Sequence, residues 1–280
     1  MNNNRKKVVN YYQNPESRWG YTFLTWDTKH FGYYPFQNSH ITERKAQELM
    51  MDLLAKKLDL KKADLVLDAG CGRGTTSCYL GKKYRSKLIG IDIVPFEVEI
   101  AKRKAKELGL TKQVKFYLQD YSKISFPNNY FDKIFTLETL VHSPNIKKTL
   151  REFHRILKPD GKIVLFEYSR SKDIEFNQWE KKMFDLICKE SAMTSFFTMF
   201  HHTLPKNIKS AGFKILSDQD ITEHMLPSLK RFYNYAIIPY QIIKLLHLQK
   251  YFINTTAAVE YHNTIKKGLG RYRIFVAEKK

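Results

Sequence analysis

The chain lacks several features that define common protein classes. It has three cysteines among its 280 residues, Cys71, Cys78 and Cys188. An odd number at these spacings argues against a disulfide framework and fits a reducing cytoplasm. The N-terminus has charges but no apolar segment behind them, which argues against a secretory signal. No run reaches the roughly 18 apolar residues of a membrane-spanning helix. The adjacent His201 and His202 have no carboxylate cluster beside them, so we expect no metal site.

Acidic residues are scarce relative to basic ones. The chain carries 48 Lys and Arg against 28 Asp and Glu, a net charge of +20. Such an excess indicates an anionic partner surface or a lysine-rich proteome. The final segment, residues 224 to 280, holds ten of the basic residues and two acidic ones.

Part of that basic segment has helical periodicity. Apolar residues at positions 242, 245, 246 and 248 alternate with Lys244, His247 and Lys250. This spacing predicts an amphipathic helix. The helix either packs over the sheet with its lysines in water, which we favour, or lies peripherally on an anionic membrane.

A glycine-rich loop is the most informative positive feature. The apolar stretch Val66-Leu67 leads into Gly70, Gly72 and Gly74, and a helix is expected from Thr75. Glycine permits positive φ and close approach of an extended cofactor to the backbone, beside the N-terminus of a helix. The G-x-G-x-G spacing differs from the G-x-G-x-x-G of a pyrophosphate cradle.

Acids recur where four predicted strands end, at Asp68, Asp92, Asp120 and Glu138. A carboxylate at the end of the second strand can accept hydrogen bonds from both hydroxyls of a ribose. The alternative for each acid is that it caps the helix that follows.

The order of elements predicts an α/β fold. Strands and helices alternate from residue 65 to about 168, which implies a parallel sheet with helices on both faces. Apolar spacing predicts a helix over 41–58. A helix from Leu204 to Ala211 precedes a sixth strand over 213–216, and a last strand covers 272–277. We divide the chain into an aromatic N-terminal arm and helix, 1–60, that covers the active site, and a domain over 61–280 with cap insertions at about 174–202 and 223–268.

These motifs resemble the class I S-adenosylmethionine (SAM)-dependent methyltransferases. The run Leu67–Gly74 is similar to their first motif, Asp92 to their ribose-binding acid, and Leu157–Lys162 to the turn before their fifth strand. The resemblance implies a Rossmann-like, seven-stranded, mostly parallel sheet with an added helical cap, and SAM as cofactor. It places the cofactor against Tyr12, Asp68, Ala69, Gly70, Cys71, Gly72, Asp92, Ile93, Gln119, Asp120, Tyr121 and Leu137.

A narrower resemblance concerns the acceptor. The aromatic N-terminal segment resembles the sterol and tocopherol C-methyltransferase branch. The runs Ser125–Asp132 and Leu137–Pro144 are similar to the sterol methyltransferases in particular, whereas residues 170 to 267 match neither enzyme closely. The resemblance implies catalytic roles for Glu138 and His142. It also implies an aromatic acceptor site, although an aromatic cluster is equally typical of apolar packing. The acceptor-site residues would be Trp19, Tyr21, Trp26, Phe31 and Tyr34.

The sequence thus predicts methyl transfer to a lipophilic small molecule, at carbon of a sterol- or isoprenoid-like alkene. The alternative is O- or N-methylation of a hydrophobic phenol, quinone or amine. Nucleic-acid methylation is disfavoured, because Thr136–Thr139 stands where such enzymes carry Asn/Asp-Pro-Pro-aromatic. The intact glycines and acids argue against a non-catalytic lipid-binding protein. The acceptor's identity and the oligomeric state stay open.

Overall fold

A single mixed sheet organises the molecule. The computed structural model describes residues 3–25, 27–36 and 40–280. Over these residues seven strands pair in the order β3-β2-β1-β4-β5-β7-β6, with β7 antiparallel to its neighbours β5 and β6 and the other pairs parallel. This confirms the predicted Rossmann-like, mostly parallel sheet. The strands are β1 (Leu65–Ala69), β2 (Lys87–Asp92), β3 (Val114–Leu118), β4 (Phe131–Leu137), β5 (Leu157–Arg170), β6 (Phe213–Asp220) and β7 (Gly270–Lys279).

Helices precede the sheet, connect its strands and form the cap. They are α1 (Asn3–Gln13), α2 (Pro15–Thr25), α3 (Glu43–Leu58), α4 (Thr75–Tyr84), α5 (Pro95–Glu107), α6 (Ile146–Ile156), α7 (Gln178–Glu190), α8 (Thr203–Ser210), α9 (Thr222–Leu245) and α10 (Ile253–Lys266). The predicted helix over 41–58 is confirmed as α3, which begins after Thr42 because the Thr42 side chain accepts a hydrogen bond from the backbone N–H of Lys45.

The core lies on both faces of the central strands. Leu67 of β1, Ile134 and Phe135 of β4, and Ile163 and Val164 of β5 are fully buried. Continuous burial of this kind is expected of parallel strands covered by helices on both sides. Because β1 pairs in parallel with both β2 and β4, the carboxyl ends of these three strands meet at one edge, where loops can form a site.

The N-terminal segment is helical and packs over this edge. Val8 and Val9 of α1 are buried against Val94, Ala192 and Ile253. The Asn4 side-chain amide donates to the backbone carbonyl of His142 at 2.9 Å. Long-range contacts thus hold the segment over the carboxyl ends of the strands.

The structure corrects the favoured interpretation of residues 242–250. The helix ends at Leu245, and the side chains of Ile242, Leu245 and Leu246 are each more than half exposed instead of packed over the sheet. The neighbouring face of α9 is the buried one, because Ala236 and Tyr240 form a cluster with Val259 of α10. No helix in the described ranges is both long and apolar enough to cross a membrane.

Candidate active site

The glycine-rich loop follows β1 and is shaped by close contacts. Gly70 has φ +92°, and a Cβ there would lie 2.1 Å from the Thr139 hydroxyl oxygen. Gly72 has φ +48°, and its N–H donates to a carboxylate oxygen of Asp92 at 2.8 Å. Both positions demand glycine, since other residues rarely adopt positive φ. The loop is thereby fixed against the end of β2.

Asp92 lies where the resemblance places a ribose-binding acid. Its second carboxylate oxygen accepts a hydrogen bond from the backbone N–H of Val94 at 2.9 Å. Burial raises its pKa, while the positive charge of Lys29 acts in the opposite direction. A carboxylate has about four lone-pair sites, so two remain for ligand hydroxyl groups.

A small cavity lies between this loop and the N-terminal segment. Its wall includes many of the residues predicted to bind the cofactor, namely Tyr12, Asp68, Gly70, Cys71, Gly72, Asp92, Ile93, Tyr121 and Leu137. Ala69, Gln119 and Asp120 do not line it. Gln119 accepts instead from the N–H of Ser125 at 3.0 Å, and Asp120 from the N–H of Ser122 at 2.7 Å. The roles of all twelve residues in cofactor binding stay predictions.

Asp68 and Asp92 do not act as N-caps of the helices that follow them. Residue Gly74 precedes α4 and Val94 precedes α5 at the cap positions, without a side-chain cap bond. Asp68 is buried and accepts from the Ser77 hydroxyl at 2.7 Å; burial raises its pKa to about 7. The capping alternative is therefore wrong for the acids that precede these two helices.

A second, larger cavity of about 350 Å³ adjoins the first. Its volume falls at the lower end of the range of small-molecule sites. Aromatic rings from several separate elements are prominent in its wall: Tyr11, Tyr12, Phe31, Tyr168, Phe184, Phe196, Phe232, Tyr235 and Tyr261. The two cavities share Tyr12, Lys29, His30, Glu138 and His142. These five residues mark the junction at which a cofactor and an acceptor would meet.

Glu138 follows β4 and is held by three donors. One carboxylate oxygen accepts from the N–H of Phe31 and from the Tyr272 hydroxyl, each at 2.8 Å. The other accepts from the Tyr168 hydroxyl. Burial raises the pKa of Glu138 to about 7, against the lowering effect of these donors. The carboxylate is thus ionised at mildly alkaline pH and fixed in place.

A neighbouring buried acid positions the turn that carries Glu138. Glu167, at the end of β5, accepts hydrogen bonds from the N–H groups of Thr139 at 3.3 Å and Leu140 at 3.1 Å. Glu138 itself has φ +60°. The left-handed conformation costs of order 1 kcal/mol in a non-glycine residue and is tolerated because the surrounding bonds enforce it.

His142 lies at the junction, but its ring is already engaged. Its Nδ1 is 3.1 Å from the carbonyl oxygen of Ala192, so Nδ1 carries the proton. Its Nε2 then accepts a hydrogen bond from the Tyr12 hydroxyl at 3.0 Å. Burial lowers the pKa of His142 to about 4. His142 is therefore neutral and orients Tyr12.

His30 is a site residue that sequence reasoning missed. Its Nδ1 is 2.9 Å from the carbonyl oxygen of Phe31 and must be the donor, which leaves Nε2 as an acceptor. That Nε2 is buried and, within the described part of the chain, has no hydrogen-bond partner. Burial lowers the pKa of His30 to about 4, so the ring is neutral. The only sequence signal was its position between Lys29 and Phe31 in the aromatic segment.

The predicted acceptor-site residues divide into three groups. Phe31 lines the larger cavity, with its ring 5.8 Å from that of Phe232. Trp19 is half exposed, and Tyr34 donates to Glu43 at 3.0 Å; the structure brings neither to the cavity wall. Trp26 lies outside the described residues, as does the side chain of Tyr21, so both stay predictions.

An ion-pair cluster ties the N-terminal segment to the glycine-rich loop. Buried Arg73, inside the loop, pairs with Asp27 and with Glu97 and donates to the Thr22 hydroxyl at 2.6 Å. Lys29 pairs with the same Glu97 at 2.8 Å. Residues on both sides of the cofactor cavity therefore depend on each other's positions.

Comparisons with known proteins show what the chain is similar to. Residues 60–267 match a family model described as "Methyltransferase domain". The chain is 30% identical to the S-adenosyl-L-methionine-dependent Diels-Alderase iccD of Talaromyces variabilis, across 97% of this chain and 94% of that protein. It is 29% identical to the sterol 24-C-methyltransferase ERG6 of Saccharomyces cerevisiae, across 61% of this chain and 44% of that enzyme. The cyclopropane synthase MmaA2 from Mycobacterium tuberculosis has the same fold, with a TM-score of 0.83 over 98% of each chain at 16% identity.

Proposed function

This chain belongs to the methyltransferase-domain family, as a class I SAM-dependent methyltransferase related to the sterol C-methyltransferases, and from that premise we propose that it methylates a carbon of a lipophilic alkene. The observation that carries the proposal is the fixed carboxylate of Glu138, at the junction of the two cavities and among aromatic rings. Such surroundings suit a cation that forms between cofactor and cavity wall.

The residues of the smaller cavity fit SAM. Asp92 offers two free lone-pair sites for the ribose hydroxyls, and Gly70 and Gly72 bring bare backbone to the cavity wall. SAM bound there would supply an electrophilic methyl group to the junction. The chain's own task is then to orient the acceptor, exclude water and manage the charge that develops.

Attack by an alkene on that methyl group would form a carbon–carbon bond while the bond between the methyl carbon and sulfur breaks, which would release S-adenosylhomocysteine and leave a carbocation on the acceptor. The ionised Glu138 and the ring faces of Tyr168 and Phe196 would stabilise that cation. A proton must then leave the neighbouring carbon. The Nε2 of neutral His30, a residue that lines both cavities, has no hydrogen-bond partner among the described residues and would accept that proton. His142 would act indirectly, because it accepts a hydrogen bond from the Tyr12 hydroxyl and so orients Tyr12.

The described lining residues also bear on the acceptor's charge. The larger cavity contains Lys29 as its basic side chain, and Lys29 is paired with Glu97. Its acidic side chains are Glu16, Glu138, Glu180 and Glu260, of which Glu180 is paired with Lys267. A strongly anionic head such as a diphosphate would meet net negative charge here. An uncharged isoprenoid or sterol-like acceptor fits this wall better.

Methyl transfer from ¹³C-methyl-labelled SAM tests the proposal. Candidate acceptors are a sterol with a side-chain double bond, squalene and a prenylated hydroquinone. We expect a carbon-bound ¹³C-methyl signal by NMR and one S-adenosylhomocysteine per product. An oxygen-bound methyl on the hydroquinone alone would instead support the alternative of O-methylation.

A pericyclic reaction is a second candidate, because the relative matched over nearly its whole length is a SAM-dependent Diels-Alderase. The same cavity could fold a polyene so that diene and alkene meet, with hydrogen-bond donors that polarise a carbonyl group. This candidate predicts a product isomeric with its substrate and no S-adenosylhomocysteine. The two readouts separate the candidates in one experiment.

A further inference from the structure

Helix α9 is apolar on two faces, and the described residues of the chain cover one of them. Leu229, Ala236, Tyr240 and Ile243 are buried against the rest of the molecule. Spaced three or four residues apart on the other side, Ile238, Ile242 and Leu245 are 75%, 60% and 78% exposed. A water-exposed helix normally has a polar outer face. The outer face of α9 therefore has the composition of a contact surface.

The exposed apolar surface continues around the end of the helix. We name this surface the α9 tip, and it consists of Ile238, Ile242, Leu245, Leu246, Tyr251 and Phe252, all exposed. Single exposed apolar side chains are ordinary, but a group of six on one helix end and the following turn is not. Such patches mark sites of contact with a protein or a membrane.

The α9 tip adjoins the acceptor cavity. Phe232, Tyr235, Ala236 and Pro239 of the same helix line that cavity. Tyr235 does so while 53% exposed, so the cavity reaches the surface beside it. A ligand that passes Tyr235 would move along the apolar face of α9.

The charged residues of the chain segment that contains the α9 tip are all basic. Between residues 224 and 259 the sequence contains Lys230, Arg231, Lys244 and Lys250 and no Asp or Glu. Lys244 and Lys250 are themselves exposed. Apolar side chains flanked by lysines are the pattern of a segment that inserts at an anionic lipid surface.

We propose that the α9 tip docks this protein on anionic bilayers, so that a lipophilic acceptor enters the cavity from the membrane past Tyr235. The proposal rests on the lipophilic acceptor of the proposed function. A second copy of the chain fits less well, because a symmetric contact through the tip would bring lysines from both copies together without acids to pair with.

Vesicle flotation of the full chain tests the docking. The probes are vesicles of phosphatidylcholine with one quarter phosphatidylglycerol and vesicles of phosphatidylcholine alone, in low and high salt. We expect at least tenfold stronger partitioning to the anionic vesicles in low salt, with most of the difference lost in high salt. Wild-type protein that does not float with anionic vesicles in low salt overturns the proposal.

Two matched double variants separate a specific surface from general charge. Ile238→Glu/Leu245→Glu changes the α9 tip, whereas Leu108→Glu/Leu216→Glu makes the same changes at exposed apolar positions that are each 46% exposed elsewhere. Each unfavourable insertion costs at least about tenfold in partitioning, so the tip variant should lose binding. The control should stay within about threefold of the wild type. Equal losses in both variants would refute docking through the tip.

The remaining readouts keep this proposal distinct from the catalytic one. SAM binding by calorimetry should be unchanged in both variants, which shows that they fold. Methyl transfer to detergent-dispersed acceptor should also be unchanged, and only transfer to acceptor embedded in vesicles should fall in the tip variant. A stable dimer by light scattering, lost in the tip variant and without vesicle binding, would assign the surface to a second copy and overturn the proposal.

Discussion

Replacement of Glu138 by glutamine removes one charge from the junction with little change in shape. The carboxylate accepts hydrogen bonds from the Phe31 N–H and from the Tyr168 and Tyr272 hydroxyls. Glutamine keeps one oxygen for the Phe31 N–H, and a tyrosine hydroxyl can turn to accept from the new amide. The variant should therefore fold and bind SAM about as well as the wild type.

The effect on turnover follows from the position of the charge. A carboxylate about 4 Å from a cation contributes up to about 4 kcal/mol at an effective dielectric constant near 20. Because the cation exists only along the reaction path, the loss appears in kcat rather than in substrate affinity. We expect kcat of Glu138→Gln to fall by about 10²- to 10³-fold.

The pKa of Glu138 determines whether kcat rises or falls with pH. Burial raises the pKa of Glu138 to about 7, so the group is protonated below that pH and ionised above it. If the ionised form is the active one, kcat rises with pH through about 7 and then levels off. His30 and His142, with pKa values lowered to about 4, stay neutral across this range. In the Glu138→Gln variant, kcat should not show this rise with pH, which we call the acid limb of the pH profile.

Single-turnover methyl transfer at several pH values is the assay, with Glu260→Gln as the matched control. Glu260 is a second buried carboxylate of the acceptor cavity, bonded to Tyr240 and to Trp179, but it does not line the cofactor cavity. Its variant should keep kcat within a few-fold. Wild-type turnover and an unchanged acid limb in Glu138→Gln would refute the electrostatic role and leave Glu138 as a residue that orders the turn.

Three further substitutions probe the rest of the site. Asp92→Ala should weaken SAM binding by about 2–3 kcal/mol in a calorimetric titration, because it removes the acceptor for the ribose hydroxyls; unchanged affinity would remove that assignment. His30→Phe should keep SAM affinity and lower kcat by about 10²-fold or more, since no lone pair is left to take the proton; equal turnover would exclude His30 as the base. Arg73→Met should destabilise the fold by about 3–5 kcal/mol in chemical denaturation and expose residues 3–25 to protease, because Glu97 and Asp27 lose a buried partner; a stable, protease-resistant variant would contradict the anchoring role.

The fold could be predicted from the sequence because its signals are local. Glycines at 70 and 72 and the acid at 92 each follow a short apolar strand, and strands alternate with helices. Such patterns depend on neighbours a few residues apart. The same local reasoning failed for Ile242 and Leu245, since α9 is apolar on two faces and periodicity alone cannot tell which one α10 covers.

The candidate site was only partly predictable, because its groups meet across long stretches of chain. Glu138 was identified, but its donors Phe31, Tyr168 and Tyr272 come from three other segments. Trp19 and Tyr34 belong to the same aromatic segment as Phe31, yet aromaticity does not determine which ring turns towards a cavity. His30 belongs to no recognisable sequence motif. It is a candidate because its buried Nε2 has no hydrogen-bond partner among the described atoms.

The N-terminal segment links cofactor binding to completion of the acceptor site. It supplies Tyr12, Lys29 and His30 to the wall shared by the two cavities, and the Phe31 N–H to Glu138. The same segment is bound to the glycine-rich loop through Arg73. Without it, Glu138 would lose one donor and gain access to water, which would weaken its interaction with a cation. The wall of the cofactor cavity and the positions of the Glu138 carboxylate and of His30 therefore depend on the same segment, so a change that loosens it should impair SAM binding and turnover together.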